Sequence, residues 1–244
     1  MARILLINPN TTTSMTESMA QAARTILSPG NELIYKTSAY GPPSIEGYYD
    51  EVFSVPPLLE LIRAEAEYDG VVIGCFDDTG VEAARCLADA PVMGICQAAC
   101  HYASILADSF SIVTTLSRSV PALEKRVLSY GYERLCRSVR ASDIPVLDLE
   151  HCDSNTQLQN LKNECIAALE HDGAEAIILG CAGMVNLQQQ LQDELGVPVI
   201  EGVTAAVTLL EGMAKLPLQT SRRNAFAKPV AKTYSGQFAG LSPC

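Results

Sequence analysis

Two cysteines, Cys75 and Cys181, each follow a glycine at the end of a short apolar run. A thiolate on one face of a carbon acid can remove a proton, and a thiol on the opposite face can return it, which inverts the stereocentre without a cofactor. A cysteine that begins a helix gains thiolate character from free backbone N–H groups, so we expect the pKa of both thiols to be lowered. The simpler interpretation is that both are small buried residues that close strands.

The two cysteines lie at equivalent positions of an internal repeat with a period of about 106 residues. Residues 68–75 (YDGVVIGC) align with residues 174–181 (AEAIILGC), and Pro91-Val92 aligns with Pro198-Val199. A period of domain size indicates two similar halves rather than a solenoid. If these halves face each other about a pseudo-two-fold axis, the two sulfurs lie on opposite sides of one ligand.

Short apolar runs alternate with segments of helical periodicity along most of the chain, a pattern typical of parallel α/β sheets. Such sheets bind ligands beyond the carboxyl ends of their strands, where both cysteines would lie. We therefore predict an α/β fold of two similar parallel-sheet halves, related by a pseudo-two-fold axis, with the active site between them. The predicted division is residues 1–96 with 201–215 for the first half, 97–200 for the second half, and 216–244 for a basic C-terminal tail.

The composition limits the classes of molecule that the chain is expected to bind. The chain has 244 residues and a net charge of −11, which disfavours nucleic acid and anionic membrane surfaces and favours a small, neutral substrate. The apolar run at residues 4–7 is too short for a signal peptide or a membrane span. Nine scattered cysteines do not have the spacing of a secreted disulfide framework, so we expect free thiols and a cytoplasmic location.

Five motifs carry a resemblance to a known family. They are residues 7–11 (INPNT), 43–47 (PSIEG), 75–80 (CFDDTG), 110–116 (FSIVTTL) and 179–184 (LGCAGM). Over residues 3–214 the chain resembles the hydantoin and allantoin racemases of the Asp/Glu/hydantoin racemase superfamily. That resemblance implies two α/β halves with one catalytic cysteine each. It also implies a ring-binding pocket lined by Asn10, Ser44, Ile45, Phe76, Thr114, Thr115, Ala182 and Gly183.

The resemblance implies a specific reaction. A member of this group would interconvert the enantiomers of allantoin or another 5-substituted hydantoin through proton transfer between Cys75 and Cys181. Amino-acid racemases of the superfamily have Asn-Thr after the first cysteine and Thr-Glu after the second, and this chain has neither. Phe76 and Ala182 offer an apolar surface that suits a flat, neutral ring. We also expect a homo-oligomer that binds neither nucleic acid nor membrane.

The segment after the first cysteine departs from the family pattern. Members often have Cys-Phe-Gly-Asp-Pro-Gly, whereas this chain has Asp77 and Thr79 in place of the first glycine and the proline. At the second site, Ala182 stands where glycine is usual. A carboxylate at Asp77 disfavours a nearby thiolate, so either Asp77 faces away or Cys75 is protonated at rest. An alternative interpretation is a capping box formed by Thr79 and Glu82.

Other functions stay open at this point. The chain could be an amino-acid racemase, a lyase or a cis-trans isomerase of the superfamily, or a non-catalytic thiol sensor. Thr114 and Thr115 could simply end a strand, since β-branched residues favour strands. Asn10 and Ser44 lie in ordinary turn sequences, so without the resemblance neither would indicate a ligand.

Two further features predict no additional site. Cys96, Cys100 and His101 have a spacing that can suggest zinc, but no second ligand pair is suitably spaced, so we predict no metal. The sequence also lacks the usual patterns for dinucleotides, phosphate loops and serine hydrolases, so we predict no cofactor. Residues 216–244 carry four basic residues and no acidic one, which indicates a solvated tail or, alternatively, a segment that docks onto the acidic body or a neighbouring subunit.

Overall fold

Two parallel four-stranded sheets with the same strand order form the fold. The computed structural model describes residues 1–151 and 155–243. The strands are β1 (Arg3–Asn8), β2 (Glu32–Thr37), β3 (Gly70–Ile73), β4 (Val92–Gly94), β5 (Phe110–Thr114), β6 (Cys136–Ala141), β7 (Ala176–Leu179) and β8 (Val199–Glu201). Their order is β2-β1-β3-β4 in the first sheet and β6-β5-β7-β8 in the second. The predicted α/β fold of two similar parallel halves is confirmed.

A helix follows every strand in the chain. The α-helices are α1 (Thr13–Ile26), α2 (Tyr48–Ala64), α3 (Val81–Leu87), α4 (Ile95–Leu106), α5 (Val120–Ser129), α6 (Asn155–Glu170), α7 (Gln188–Leu195) and α8 (Gly202–Lys215). Short 3-10 helices cover Ser117–Ser119, Val146–His151, Ala182–Leu187, Asn224–Phe226 and Gly236–Leu241. None of the helices that the structure describes is both long and apolar enough to cross a membrane.

The internal repeat is visible in individual backbone hydrogen bonds. Just after β3, the N–H of Gly74 donates to the carbonyl of Ile7 at 2.8 Å, and just after β7, the N–H of Gly180 donates to the carbonyl of Val113 at 2.8 Å. Each glycine therefore lies at the same position relative to the neighbouring strand. The cysteine that follows each glycine lies at the same edge of its sheet.

Side chains alternate between the two faces of each strand. One face packs into a core that the two halves share, and the other packs into an outer core of its own half. On β1, Ile4 and Leu6 pack into a central cluster, whereas Leu5 and Ile7 pack beneath the outer helices of the first half. The same central cluster contains Ile112 of β5. Because each fully buried aliphatic side chain contributes about 1.5 to 3 kcal/mol, this shared cluster holds the two halves together firmly.

Helices α4 and α8 cross between the halves. Helix α4 follows a strand of the first sheet but packs against β7 and β8, whereas α8 follows a strand of the second sheet and packs against β3. Leu210 of α8, for example, contacts Gly70. This exchange agrees with a division that assigns residues 201–215 to the first half, although the division itself stays a prediction.

The C-terminal segment is docked on the first half. Arg222 binds the carboxylate of Asp89 at 2.9 Å and donates to carbonyl oxygens at the end of α3. Lys228 binds the same carboxylate at 2.9 Å, and Arg63 donates to the carbonyl of Gly240 at 2.9 Å. These contacts favour docking onto the acidic body over a solvated tail, although residues 228–240 are exposed.

Candidate active site

A small cavity lies at the carboxyl ends of strands from both sheets. Its volume is about 40 Å3. The segments that follow β3, β5 and β7 supply most of its wall, as expected for a parallel α/β fold. The lining residues are Met15, Ile45, Gly74, Cys75, Phe76, Asp77, Thr114, Thr115, Ser119, Val146, Gly180, Cys181, Ala182 and Gly183.

The cavity brings together most residues that the sequence indicated. Both cysteines line it, one from each half. Asn10 and Ser44 are absent from its lining. The predicted site residues that do line it are Cys75, Cys181, Ile45, Phe76, Thr114, Thr115, Ala182 and Gly183.

Asn10 organises the loop that precedes α1. Its side-chain oxygen accepts from Asn8 Nδ2 at 2.8 Å and from the backbone N–H of Thr12 at 2.9 Å. Its Nδ2 lies 3.5 Å from the sulfur of Met15, which reaches the cavity. The structure therefore gives Asn10 a loop-shaping contact, and substrate binding by Asn10 or by half-buried Ser44 stays a prediction.

Cys75 lies in a turn and not at the start of a helix. Helix α3 begins only at Val81, so the expected helix terminus at Cys75 is wrong. The Cys75 sulfur lies 3.4 Å from the hydroxyl of Thr79. Glu82 binds Arg126 at 2.8 Å. The capping box suggested for Thr79 and Glu82 is therefore also wrong, because the two side chains bind other groups.

Cys181 immediately precedes the 3-10 helix Ala182–Leu187. The nearby backbone N–H of Gly183 lowers the pKa of Cys181 and so opposes part of the effect of burial. Before the cysteine, the hydroxyl of Thr114 donates to the carbonyl of Gly180 at 2.9 Å. A Cβ at Gly180 would lie 2.8 Å from that of Thr114, so only glycine permits this close approach. Thr114 thus positions the backbone that carries the second thiol.

Burial holds the two thiols in their protonated form. Burial raises the pKa of Cys181 to about 12. Burial, and next the charge of Asp77, raise the pKa of Cys75 well above its ordinary value. The sequence suggested that the pKa of both thiols is lowered. That prediction is wrong, because desolvation disfavours a buried thiolate more than the nearby hydrogen bonds favour it.

Two acidic residues follow Cys75 and point in different directions. Asp78 is fully buried and caps α4, since its carboxylate accepts the N–H groups of Cys96 at 2.9 Å and Gln97 at 3.0 Å. It also accepts the hydroxyl of Tyr130 at 2.7 Å. Asp77 instead lines the cavity, which corresponds to the predicted alternative in which Cys75 rests protonated. Burial and next the charge of Glu51 raise the pKa of Asp77 to about 7.

Arg126 connects the turn that contains Asp77 and Asp78 to the second half. Its Nε donates to the carbonyl of Asp77 at 2.8 Å, and its Nη2 donates to the carbonyl of Asp78 at 3.3 Å. Arg126 lies on α5, so the Cys75 turn of the first half is held by a helix of the second. The relative placement of the two thiols therefore depends on contacts between the halves.

Sequence reasoning missed several lining residues. Met15 lies in the first turn of α1 and Ser119 directly precedes α5, so both lie where the first helix of a half begins. The internal repeat was the signal that could have indicated this shared location. Val146 lies in a 3-10 helix after β6, and no motif indicated that it reaches the cavity.

The Cys96, Cys100 and His101 segment does not converge on a ligand. Both cysteines are buried in the shared core, whereas His101 is exposed and its Nδ1 lies 3.4 Å from the hydroxyl of Tyr132. In the described part of the chain, no group of three His, Cys, Asp or Glu residues is placed to hold a metal ion. Cys152 and Cys244 lie outside the described residues, and the absence of metal and cofactor stays a prediction.

Comparisons with known proteins identify the family. Residues 4–210 match the model of the Asp/Glu/Hydantoin racemase family. A hydantoin racemase from Rhizobium meliloti is 48% identical over 235 residues, covering 96% of this chain and 97% of that protein. A hydantoin racemase from Pseudomonas sp. (strain NS671) is 41% identical over 236 residues, covering 96% of this chain and 94% of that protein.

Solved structures agree with the sequence comparison. An allantoin racemase from Klebsiella pneumoniae is 45% identical with a TM-score of 0.96, covering 100% of both chains. A glutamate racemase from Francisella tularensis, at 16% identity and a TM-score of 0.66 over 90% of this chain and 84% of that one, shares the fold. The chain is thus an isomerase that racemises a small-molecule substrate. It belongs to the Asp/Glu/hydantoin racemase family.

Proposed function

We propose that this protein interconverts the enantiomers of allantoin, or of another 5-substituted hydantoin, by proton transfer between Cys75 and Cys181 without a cofactor. The observation that carries the proposal is the position of the two thiols, which follow equivalent strands and line the same cavity. The hydantoin and allantoin racemases that resemble this chain support the substrate class.

Each thiol serves one face of the ring. One thiolate removes the proton from the stereogenic carbon, and the opposite thiol delivers its own proton to the other face. For the reverse direction the two cysteines exchange roles. Because burial keeps both thiols protonated, one must lose its proton before the reaction begins. The N–H of Gly183 favours the thiolate at Cys181, and the hydroxyl of Thr79 favours the thiolate at Cys75.

The lining of the cavity favours a neutral ring over a charged amino acid. Phe76, Ala182 and Met15 provide apolar surface, and the hydroxyl groups of Thr115 and Ser119 provide polar contacts. Among the described lining residues there is no lysine, arginine or histidine to bind an α-carboxylate. Asp77 adds a negative charge when it is ionised. An aspartate or glutamate substrate is therefore disfavoured by charge as well as by the motif.

Substrate entry requires a loop to move. The cavity volume of about 40 Å3 is far below the roughly 300 Å3 or more of ordinary ligand pockets. The segment 40–47, which carries Ile45 into the cavity, is held by Glu46, whose carboxylate accepts the N–H of Val146 at 3.1 Å. Lys125 also donates to the hydroxyl of Tyr48 at 2.8 Å. We infer that these contacts between the halves open to admit the ring.

The proposed setting is the cytoplasm, with the chain working as a homo-oligomer. Support for a reducing compartment comes from the seven cysteines that the structure describes, all of which are free thiols. Support for self-association comes from exposed apolar side chains at the start of α2, where Tyr49, Val52 and Phe53 are more than half exposed.

Optical rotation tests the proposed reaction. Each enantiomer of allantoin and of a 5-alkylhydantoin is incubated with the purified protein and a metal chelator, and rotation is followed at a pH where spontaneous racemisation is slow. We expect rotation to decay to zero with at least one ring. The Cys75→Ser/Cys181→Ser double variant serves as the control and should match the protein-free rate. Unchanged rotation for every ring would exclude the proposed function.

A further inference from the structure

Asp77 has a buried carboxylate that no other group binds. Asp77 is 6% exposed and lines the cavity that both thiols also line. Arg126 binds the backbone carbonyl of Asp77 and not its carboxylate. Among the residues that the structure describes, none donates a hydrogen bond to this carboxylate, although buried polar groups are normally paired. Its partner must therefore come from whatever fills the cavity.

The neighbouring residues of the same turn contrast with Asp77. The Asp78 carboxylate is used by the N-terminus of α4 and by Tyr130, and the Thr79 hydroxyl lies against the Cys75 sulfur. Asp77 alone in this turn directs an unpaired polar group at the ligand space. When ionised, this carboxylate only accepts hydrogen bonds, so the ligand group that favours the ionised form is a donor such as N–H.

The chemistry of the candidate substrates indicates which part of the ligand Asp77 can select. All 5-substituted hydantoins share the same ring N–H groups, so a carboxylate in this cavity can discriminate between them only through the substituent on the reacting carbon. The ureido substituent of allantoin carries several N–H donors, whereas an alkyl substituent carries none.

We propose that Asp77 is a specificity-determining residue that accepts hydrogen bonds from N–H groups of the ring substituent and so selects ureido over alkyl substituents. This inference rests on the proposed function. Burial and the charges of Glu51 and Asp78 raise the pKa of Asp77 to about 7, so the empty site already disfavours the carboxylate. Hydrogen-bond donors on the ligand offset the unfavourable burial of the ionised carboxylate, whereas an alkyl substituent cannot.

Two substrates of matched shape separate the contact from other effects. Allantoin and 5-isobutylhydantoin have substituents with the same number of heavy atoms and the same branching, but only allantoin has donors there. The measured quantity is the ratio of kcat/KM for allantoin to kcat/KM for 5-isobutylhydantoin. Comparing this ratio between variants cancels the difference in intrinsic acidity of the two rings. In the wild type we expect the ratio to exceed ten.

Asp77→Gly should lower this ratio by about ten- to a hundredfold, the usual effect of losing a hydrogen bond to a charged group. The loss should fall on allantoin, with 5-isobutylhydantoin unchanged or improved. Asp77→Asn, which keeps one acceptor oxygen, should give an intermediate ratio. Glu51→Gln is the control, because it removes a carboxylate that is absent from the cavity lining and that raises the pKa of Asp77, so more of Asp77 is ionised in this variant. Its ratio should equal or exceed that of the wild type.

The possible outcomes are distinct. A wild type that racemises neither ring would overturn the proposed function and this inference with it. A wild type that racemises both rings, with the same ratio in Asp77→Gly, would overturn the inference alone. Equal losses on both rings in Asp77→Gly, or a fall in the ratio reproduced by Glu51→Gln, would also overturn it, because Asp77 would then act through charge on the thiols. Circular dichroism and thermal unfolding check that each variant is folded.

Discussion

Cys75 and Cys181 follow equivalent strands, yet different kinds of contact hold them. The Cys75 turn is fixed by side chains from other elements, with Asp78 bound to Tyr130 and the backbone carbonyls bound by Arg126. Cys181 is fixed within its own half, by the 3-10 helix that follows it and by Thr114 on the adjacent strand. The repeat therefore determines where each thiol lies, whereas the following segments determine how each thiol ionises.

The helices after the last strand of each half show the same contrast. Helix α8 is capped by Glu201, the residue directly before it, which accepts the N–H groups of Val203 and Thr204 at 2.7 Å. At the equivalent position before α4 stands Gly94, where a Cβ would overlap the carboxyl group of Asp78. One half thus caps its helix with a neighbouring carboxylate, and the other uses a carboxylate from the active-site turn. We therefore expect stability and catalysis to be coupled in the first half and independent in the second.

The largest effect is expected from replacing either thiol. Cys75→Ser and Cys181→Ser should each lower kcat for racemisation by about 10²- to 10⁴-fold, because a serine hydroxyl is a much weaker acid than a thiol. Optical rotation of each enantiomer measures this loss. Cys86→Ser, which changes a cysteine beneath the C-terminal segment, is the control and should keep full activity. Near wild-type racemisation by either site variant would contradict the two-thiol account.

The two capping carboxylates provide the next test of the comparison. Asp78→Ala leaves two N–H groups and the Tyr130 hydroxyl without their acceptor, so the free energy of unfolding should fall by about 2 to 4 kcal/mol. Glu201→Ala removes a local cap and should cost about 1 to 2 kcal/mol. Urea unfolding gives both values. Of the two folded variants, only Asp78→Ala should also lose much of its kcat, and equal kcat losses would refute the coupling described above.

Asp77 should make stability depend on pH. Its pKa is about 7 in the folded protein against an ordinary value of 3.8, so the ionised form destabilises the fold. That destabilisation is complete above pH 7 and disappears as the pH falls below about 4. Asp77→Asn should therefore raise the free energy of unfolding by about 1 to 3 kcal/mol at pH 8 and leave it unchanged at pH 4. An equal increase in the free energy of unfolding at pH 8 and at pH 4 would show that the charge of Asp77 is not the cause.

A smaller effect is expected on thiol reactivity. Asp77 raises the pKa of both site cysteines, with a larger share at Cys75, so removing its charge lowers both values. In Asp77→Asn at pH 8, iodoacetamide should label Cys75 roughly three- to tenfold faster, and Cys181 by a smaller factor. Mass spectrometry follows each peptide, with Cys86 as the internal standard. Unchanged labelling of Cys75 would mean that Asp77 does not control its ionisation.

Sequence reasoning predicted the features that short patterns determine and missed those that depend on contacts between distant segments. The apolar strands, the repeat and the two Gly-Cys ends follow from short patterns, so the fold and the pairing of Cys75 with Cys181 were predictable. The cap from Asp78 to α4 depends on a left-handed backbone at residue 78 and on the space left by Gly94, which no short pattern indicates. The thiol pKa values were predicted in the wrong direction because they depend on burial, which the tertiary structure decides.

The most direct measurement of the two-thiol mechanism is hydrogen exchange in D2O with the single serine variants. In each variant the remaining thiol can still remove and return the ring proton on its own face, so one enantiomer should exchange with retention of configuration. Because the thiols lie in opposite halves, Cys75→Ser and Cys181→Ser should exchange opposite enantiomers, as followed by NMR of the ring C–H signal. Exchange of the same enantiomer by both variants would contradict the account.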